Sequence, residues 1–250
     1  MVLRAGADQA VVVDVGPEPG AMRQCLSGLR IRSVPVVVLT HFHADHVGGL
    51  PGVLGRFPVG QVWVSPYASP AAEVAEVREL TLAAGAVLRS PPVGESGSAG
   101  EVWWQVLGPV GTASGSGSGG SGEIGESVES GVENDASLVL RVGVGDLTVL
   151  LTGDVEPAGQ ARILATGADL HADVLKLPHH GSSRQDPRFF AATGARVAIA
   201  SAGEHNSYGH PAPSTVRLAT GLGMSVLRTD QQGSVAITEH DGRVGAVVQR

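Results

Sequence analysis

The chain has 250 residues, 42% of them apolar but only 4% aromatic, and its 36 glycines are roughly twice the usual share. Its 17 cationic against 24 acidic side chains leave a net charge of −7, which excludes the strongly basic clamp of a dedicated nucleic-acid binder. No apolar run approaches the roughly 18 residues that a bilayer span needs, Met1 does not open a charged-then-apolar leader, and Cys25, standing alone, excludes an intrachain disulfide.

From the N-terminus, Val11 to Val15 and Pro35 to Thr40 are β-branched runs too continuous to be half-exposed, so they predict buried strands with a helix between them at Gly20 to Arg30. Gln61 to Ser65 predicts the next strand. Ser69-Pro70 reads as an N-cap with proline at the first helical position, opening a helix through Leu82 that Gly85 closes. Val102 to Leu107 is a further strand, with Trp103 and Trp104 as a core pair. Residues 111–133 are rich in Gly and Ser and carry Glu123, Glu126, Glu129 and Glu133, the composition of a flexible coil inserted within one domain spanning 1–250. After it come a hairpin (Ser137 to Val142, Leu147 to Thr152), a helix near Pro157 to Thr166, and strands at Asp173 to Leu177 and Arg196 to Ser201. A helix at Pro213 to Gly221 and two short strands, Ser225 to Thr229 and Ser234 to Glu239, end the chain. Strands grouped in each half with helices interspersed predict a layered α/β fold.

The chemistry begins at Thr40-His41-Phe42-His43-Ala44-Asp45-His46, where four metal-ligating side chains occupy six residues just past a predicted strand. Imidazole with carboxylate suits zinc, manganese or iron. Three further strand ends carry the same kind of donor: Leu150-Leu151-Thr152-Gly153-Asp154, Leu175-Lys176-Leu177-Pro178-His179-His180-Gly181-Ser182, and Tyr208-Gly209-His210-Pro211.

His41-x-His43-x-Asp45-His46 resembles the signature of the metallo-β-lactamase superfamily, which implies an αββα sandwich with one or two metals at the sheet edges. The later segments, Asn134-Asp135-Ala136-Ser137-Leu138-Val139-Leu140, then Asp154, then Leu177-Pro178-His179-His180-Gly181-Ser182 and Asn206-Ser207-Tyr208-Gly209-His210-Pro211, are similar in order and wording to the C-terminal domain of ComEC-type DNA-uptake (competence) proteins. The similarity runs from about Val11 to the last strands. That family opens with Asp-Val-Gly-Gln-Gly-Asp on its first strand, whereas here only Val13-Asp14-Val15-Gly16-Pro17 stands near the start, so the first strand is expected to be truncated in a fragment of a longer protein. No histidine lies between Val47 and Leu170, so one metal position is expected to be poorer in protein ligands unless Asn134, Asp135 or His210 supplies the missing group.

The resemblance implies two divalent ions, manganese or zinc, with His41 and His43 on one, Asp45, His46 and His179 on the other, and Asp154 between them. Asp45, His180 and His210 are the implied proton-handling residues, and Asn134, Ser182, Lys176 and Arg184 the implied substrate contacts or supports. The function implied is a nuclease hydrolysing phosphodiesters of the strand that is not imported, with single-stranded DNA as substrate and the membrane channel of the same parent protein as partner. That setting puts the domain on the outer face of the cytoplasmic membrane. Two alternatives remain: another hydrolase of the superfamily (a phosphorylcholine esterase, lactonase or thioesterase), or a binding module without turnover. Residues 111–133 hold four of the acids and no Lys or Arg, so the net charge argues for weak, metal-dependent DNA binding, not against DNA.

Overall fold

The computed structural model describes residues 1–111, 126–240 and 243–249. Five strands, β1 (Val2–Arg4), β2 (Ala10–Val13), β3 (Val34–Leu39), β4 (Val59–Val64) and β5 (Val87–Arg89), form one sheet in sequence order, parallel except for the β1–β2 pair. Seven more, β6 (Ser96–Ala99), β7 (Val102–Gly108), β8 (Val139–Val144), β9 (Leu147–Leu151), β10 (Val174–Lys176), β11 (Val197–Ala200) and β12 (Ser225–Arg228), form a second sheet. This one is antiparallel from β6 to β9 and parallel from β9 to β12. A last hairpin, β13 (Ser234–His240) with β14 (Arg243–Gln249), packs Ile237 and Val244 against the core.

The strand sequences account for the layering. Successive side chains on a strand face opposite ways, and in β2 and β3 both faces are apolar. Val11, Val13, Val36 and Val38 meet Val106, Leu140, Val149 and Leu151 of the second sheet, while Trp63 meets Trp104 edge-on at 5.2 Å. The alternate residues Ala10, Val12, Val37 and Leu39 pack outward against Leu26 of α1 (Pro19–Gly28), the short segments α2 (Ala44–Val47) and α3 (Leu50–Leu54), and α4 (Ala71–Ala83). On the far side, Leu150, Leu175 and Ala198 pack under Ile163 of α6 (Pro157–Ala165), Phe189 and Phe190 of α7 (Pro187–Thr193) and Ala219 of α8 (Pro213–Gly221). The result is the αββα sandwich that the sequence implied. No helix among the described residues is long and apolar enough to cross a membrane.

Three expectations need correction. Ser69 does not cap α4: the N-cap is Pro70, and the Ser69 hydroxyl donates instead to Glu133. Residues 112–125 of the expected coil lie outside the described residues, but its end is helical, as α5 (Glu126–Asp135), and Glu133 is buried because His43 and Ser69 hold its carboxylate. The chain also ends in three strands, since Arg243–Gln249 returns along Ser234–His240.

Candidate metal centre

Five strand ends deliver the polar residues to one edge of the sandwich. Asp14 follows β2 with φ of 52°, a left-handed turn, and accepts hydrogen bonds from the Thr40 amide (2.8 Å) and hydroxyl (3.0 Å). The loop after β3 carries His41 and His43, and α2 carries Asp45 and His46. This short helix can sit against the chain at 15–19 because glycines face it: a Cβ on Gly49 would lie 2.1 Å from the Val15 carbonyl oxygen. Thr152-Gly153 after β9 brings in Asp154. His179 and His180 follow β10, both at positive φ (48° and 53°), a conformation that costs a non-glycine residue about 1–2 kcal/mol and is characteristic of functional loops. His210 comes from the loop after β11.

The side chains converge. One ligand atom from each of His41, His46 and Asp154 lies within 4.8 Å of the other two, and the same holds for Asp45, His46 and His180. His46 Nε2 is 3.2 Å from His180 Nε2, 3.3 Å from Asp154 Oδ2 and 3.6 Å from Asp45 Oδ2. His180 Nε2 lies 3.1 Å from Asp45 Oδ2 and 3.2 Å from Asp154 Oδ2. The other nitrogen of both rings is tied outward, His46 Nδ1 donating to Asp14 (2.8 Å) and His180 Nδ1 to the Ser201 carbonyl (2.7 Å); His43, which joins neither ligand group, donates Nε2 to Glu133 (2.6 Å) with its ring 4.5 Å from that of His41. Such outward bonds fix the tautomer and aim the free nitrogen inward, as carboxylate–histidine pairs do around metals. His41 Nε2 and Asp154 Oδ1 are buried and make no hydrogen bond. Buried polar atoms are normally partnered; a cation among these groups satisfies both, so the donor set fits a metal.

The carboxylates act differently on the three rings. Burial pushes His46 down, but Asp154 and Asp14 outweigh it and raise its pKa well above the usual imidazole range, so a cation that binds Nε2 takes the place of a proton. Asp154 and Asp45 likewise raise His180, to about 9, against the effect of burial. His41 has no adjacent carboxylate strong enough: burial and the positive His46 hold it well below the usual range, in the neutral form that ligates metals. Burial works against ionisation of Asp154, yet His46, His180 and Lys176 keep it ionised.

Other expected residues take different places. Of the two adjacent histidines it is His180, not His179, that joins a ligand group; His179 Nε2 stays 3.9 Å from Asp154 Oδ2, and its Nδ1, 3.3 Å from Glu156, makes no hydrogen bond. Lys176 is buried and donates to the carbonyls of Gly153 and Leu177 with Nζ 3.6 Å from Asp154, so it braces that carboxylate from behind. Ser182 is buried in its own turn, where Gln185 donates to it, and Asn134 donates to Glu156. Arg184 is exposed and pairs with Glu156 at 3.0 Å. His210 stands with its ring 5.4 Å from that of His179, held below the ordinary range by burial and by the neighbouring His179 and His180. Sequence reasoning missed Asp14, Glu133 and Glu156 as supports. Val13-Asp14-Val15-Gly16 at a strand end was the one available signal, whereas Glu133 was concealed in a segment of coil-like composition.

The family model described as "Metallo-beta-lactamase superfamily" matches residues 1–186. ComE operon protein 3 of Bacillus subtilis is 27% identical over 221 residues, 88% of this chain and 26% of that protein. Competence protein ComA of Neisseria gonorrhoeae is 35% identical over 120 residues, 47% of this chain and 17% of that protein. The chain thus spans about a quarter or less of the length of these two relatives. Among solved structures, Zn(2+)-bound PqqB of Methylobacterium extorquens superposes with a TM-score of 0.52 at 14% identity, covering 91% of this chain and 82% of that one, a likeness of fold.

Proposed function

The chain belongs to the metallo-β-lactamase superfamily, and from that premise we propose that it is a metal-dependent nuclease that hydrolyses DNA phosphodiester bonds, degrading the strand that is not imported during DNA uptake. The observation that carries a hydrolytic centre is the convergence of His46, His180, Asp45 and Asp154, with the ring nitrogens of both histidines fixed from outside. The similarity to two competence proteins directs that centre to DNA. In this reading His41 and His43 with Asp154 would hold one divalent ion, and Asp45, His46 and His180 the other, manganese or zinc, with Asp154 facing both sets.

Divalent ions bound there supply Lewis-acid stabilisation of a phosphoryl oxygen and make water acidic enough to act as a nucleophile near neutral pH. Asp45, with 53% of its side chain exposed, is the carboxylate of the cluster open to solvent, and it accepts the proton of the attacking water. His210, kept neutral, offers a ring N–H to a non-bridging phosphoryl oxygen. Lys176 fixes Asp154, and the exposed Arg184 contacts backbone phosphate beside the site. Within a longer polypeptide the domain works on the outer face of the cytoplasmic membrane, next to the channel that admits the other strand.

The test is incubation of the chain with end-labelled single- and double-stranded DNA in manganese and in zinc, beside Asp154→Ala. Metal-dependent cleavage that the variant loses supports the reading. DNA left intact in both metals while a thioester, lactone or phosphorylcholine ester is turned over replaces it with another hydrolase of the superfamily. DNA bound without cleavage leaves a binding module.

A further inference from the structure

The chain has nine Phe, Trp and Tyr residues. Phe42, Phe57, Phe189, Phe190, Trp63 and Trp104 are buried, and Trp103 and Tyr67 are half-buried. Tyr208 alone is exposed, with 82% of its surface open to solvent. It stacks on His210, the ring centroids 6.1 Å apart and the planes within 23°. From His210 the row continues to the His179 ring at 5.4 Å, and His179 Nε2 lies 3.9 Å from Asp154. Arg184 pairs with Glu156, whose other oxygen lies 3.3 Å from His179 Nδ1.

The loop that presents Tyr208 is braced. Asn206 accepts a hydrogen bond from the His210 amide (3.0 Å) and donates to the carbonyls of Gly203 and His210 (2.9 Å each), and Gly209 turns at φ +73°. An aromatic ring whose burial would favour folding is instead held in water at the rim of the metal centre, with one neighbour stacked and its remaining surface open. Such a ring is a platform for a planar, polarisable ligand.

Resting on the nuclease reading, we infer that Tyr208, backed by His210, forms a nucleobase-stacking subsite that selects an unpaired strand. A base in a duplex is already stacked on both faces, whereas an unpaired base gains about 1–3 kcal/mol by stacking on an aromatic side chain, whatever its identity. The subsite holds a nucleotide flanking the scissile phosphate. It makes the enzyme prefer single-stranded over double-stranded DNA without reading sequence.

The experiment measures fluorescence anisotropy of a labelled single-stranded oligonucleotide, and KM and kcat for its cleavage, with the chain and with Tyr208→Ala and Tyr208→Phe. The side chain is exposed, so neither substitution disturbs the core. Tyr208→Ala is expected to raise Kd and KM about 5- to 150-fold with kcat little changed, and Tyr208→Phe to restore both. Oligonucleotides with one abasic position should lose the same factor at a single site with the unaltered chain, and nothing further with Tyr208→Ala. Equal binding by all three proteins, or indifference to every abasic position, overturns the subsite while leaving the nuclease intact. A chain that neither binds nor cuts DNA overturns both readings.

Discussion

Asp14 shows how one side chain can control a metal centre that it does not touch. Its Oδ1 accepts from the Thr40 amide, and its Oδ2 accepts from His46 Nδ1 and the Thr40 hydroxyl. In Asp14→Asn the amide oxygen stays pinned by the Thr40 N–H, which turns the new NH2 group toward His46 Nδ1. The ring must then carry its proton on Nε2, the nitrogen facing Asp154 and His180, and loses its lone pair there. Metal affinity is expected to fall about 10- to 100-fold, as measured by competition with a chromophoric chelator, with far-UV circular dichroism unchanged. An unchanged affinity removes His46 Nε2 from the ligand set. At this scale the sequence was informative about donors and poor about supports. Histidines crowded at strand ends announce themselves by type and spacing, whereas Asp14, Glu133 and Glu156 matter only through contacts with residues 32, 90 and 23 positions away.

Elements were legible where local pattern and burial agree. Continuous apolar runs marked β3 and β9, and proline at the start with glycine at the end marked α8 as Pro213–Gly221. Ser69 failed as a cap because a buried carboxylate 64 residues away is a better partner for its hydroxyl than the first turn of α4. The seating of α2 and α3 depends on glycine. In Gly49→Ala a Cβ would meet the Val15 carbonyl oxygen at 2.1 Å, so the backbone must shift, and a loss of about 2–3 kcal/mol is expected from the urea midpoint. Gly28→Ala, at the end of α1 with nothing within 4 Å, is the control and is expected to be neutral or mildly stabilising.

A second device ties three strand starts together. Asp173, ahead of β10, accepts from the Thr148 amide (3.0 Å) and hydroxyl (2.9 Å) on β9 and from Arg196 (2.8 Å) ahead of β11. Burial pushes its carboxyl up, but these donors outweigh it and hold the pKa below the ordinary 3.8. A carboxyl depressed in the folded state contributes stability that is present above its unfolded value and lost as pH falls through the folded one. Asp173→Ala is therefore expected to cost about 1–2 kcal/mol at pH 7, the Arg196 contact being largely exposed and counting for little. The difference from the unaltered chain should shrink below pH 4. A gap that stays constant from pH 7 to pH 3 assigns the loss to packing.

At the scale of the whole molecule, the layered fold was legible because the central strands β2 and β3 bury both faces, a pattern that only a sheet covered on two sides satisfies. The centre's position was not, since nothing local says that the loops of two sheets meet. Asp14, His41, His43, Asp45 and His46 come from the first sheet, and Asp154 and His180 from the second, so any ion held by both sets links the halves of the sandwich. Binding to the folded state alone stabilises it by about 2.7 kcal/mol at a free concentration 100 times Kd. For a chain of this size that corresponds to a rise in melting temperature of about 5–10 °C. Manganese or zinc is thus expected to raise the melting temperature by that amount in differential scanning fluorimetry, and EDTA to reverse it. Asp154→Ala removes the carboxylate that the second sheet places within 3.3 Å of both His46 and His180, so the rise should shrink or disappear although the rings remain. If Asp154→Ala is stabilised as much as the unaltered chain, Asp154 is not a ligand, and any link between the two halves runs through His180.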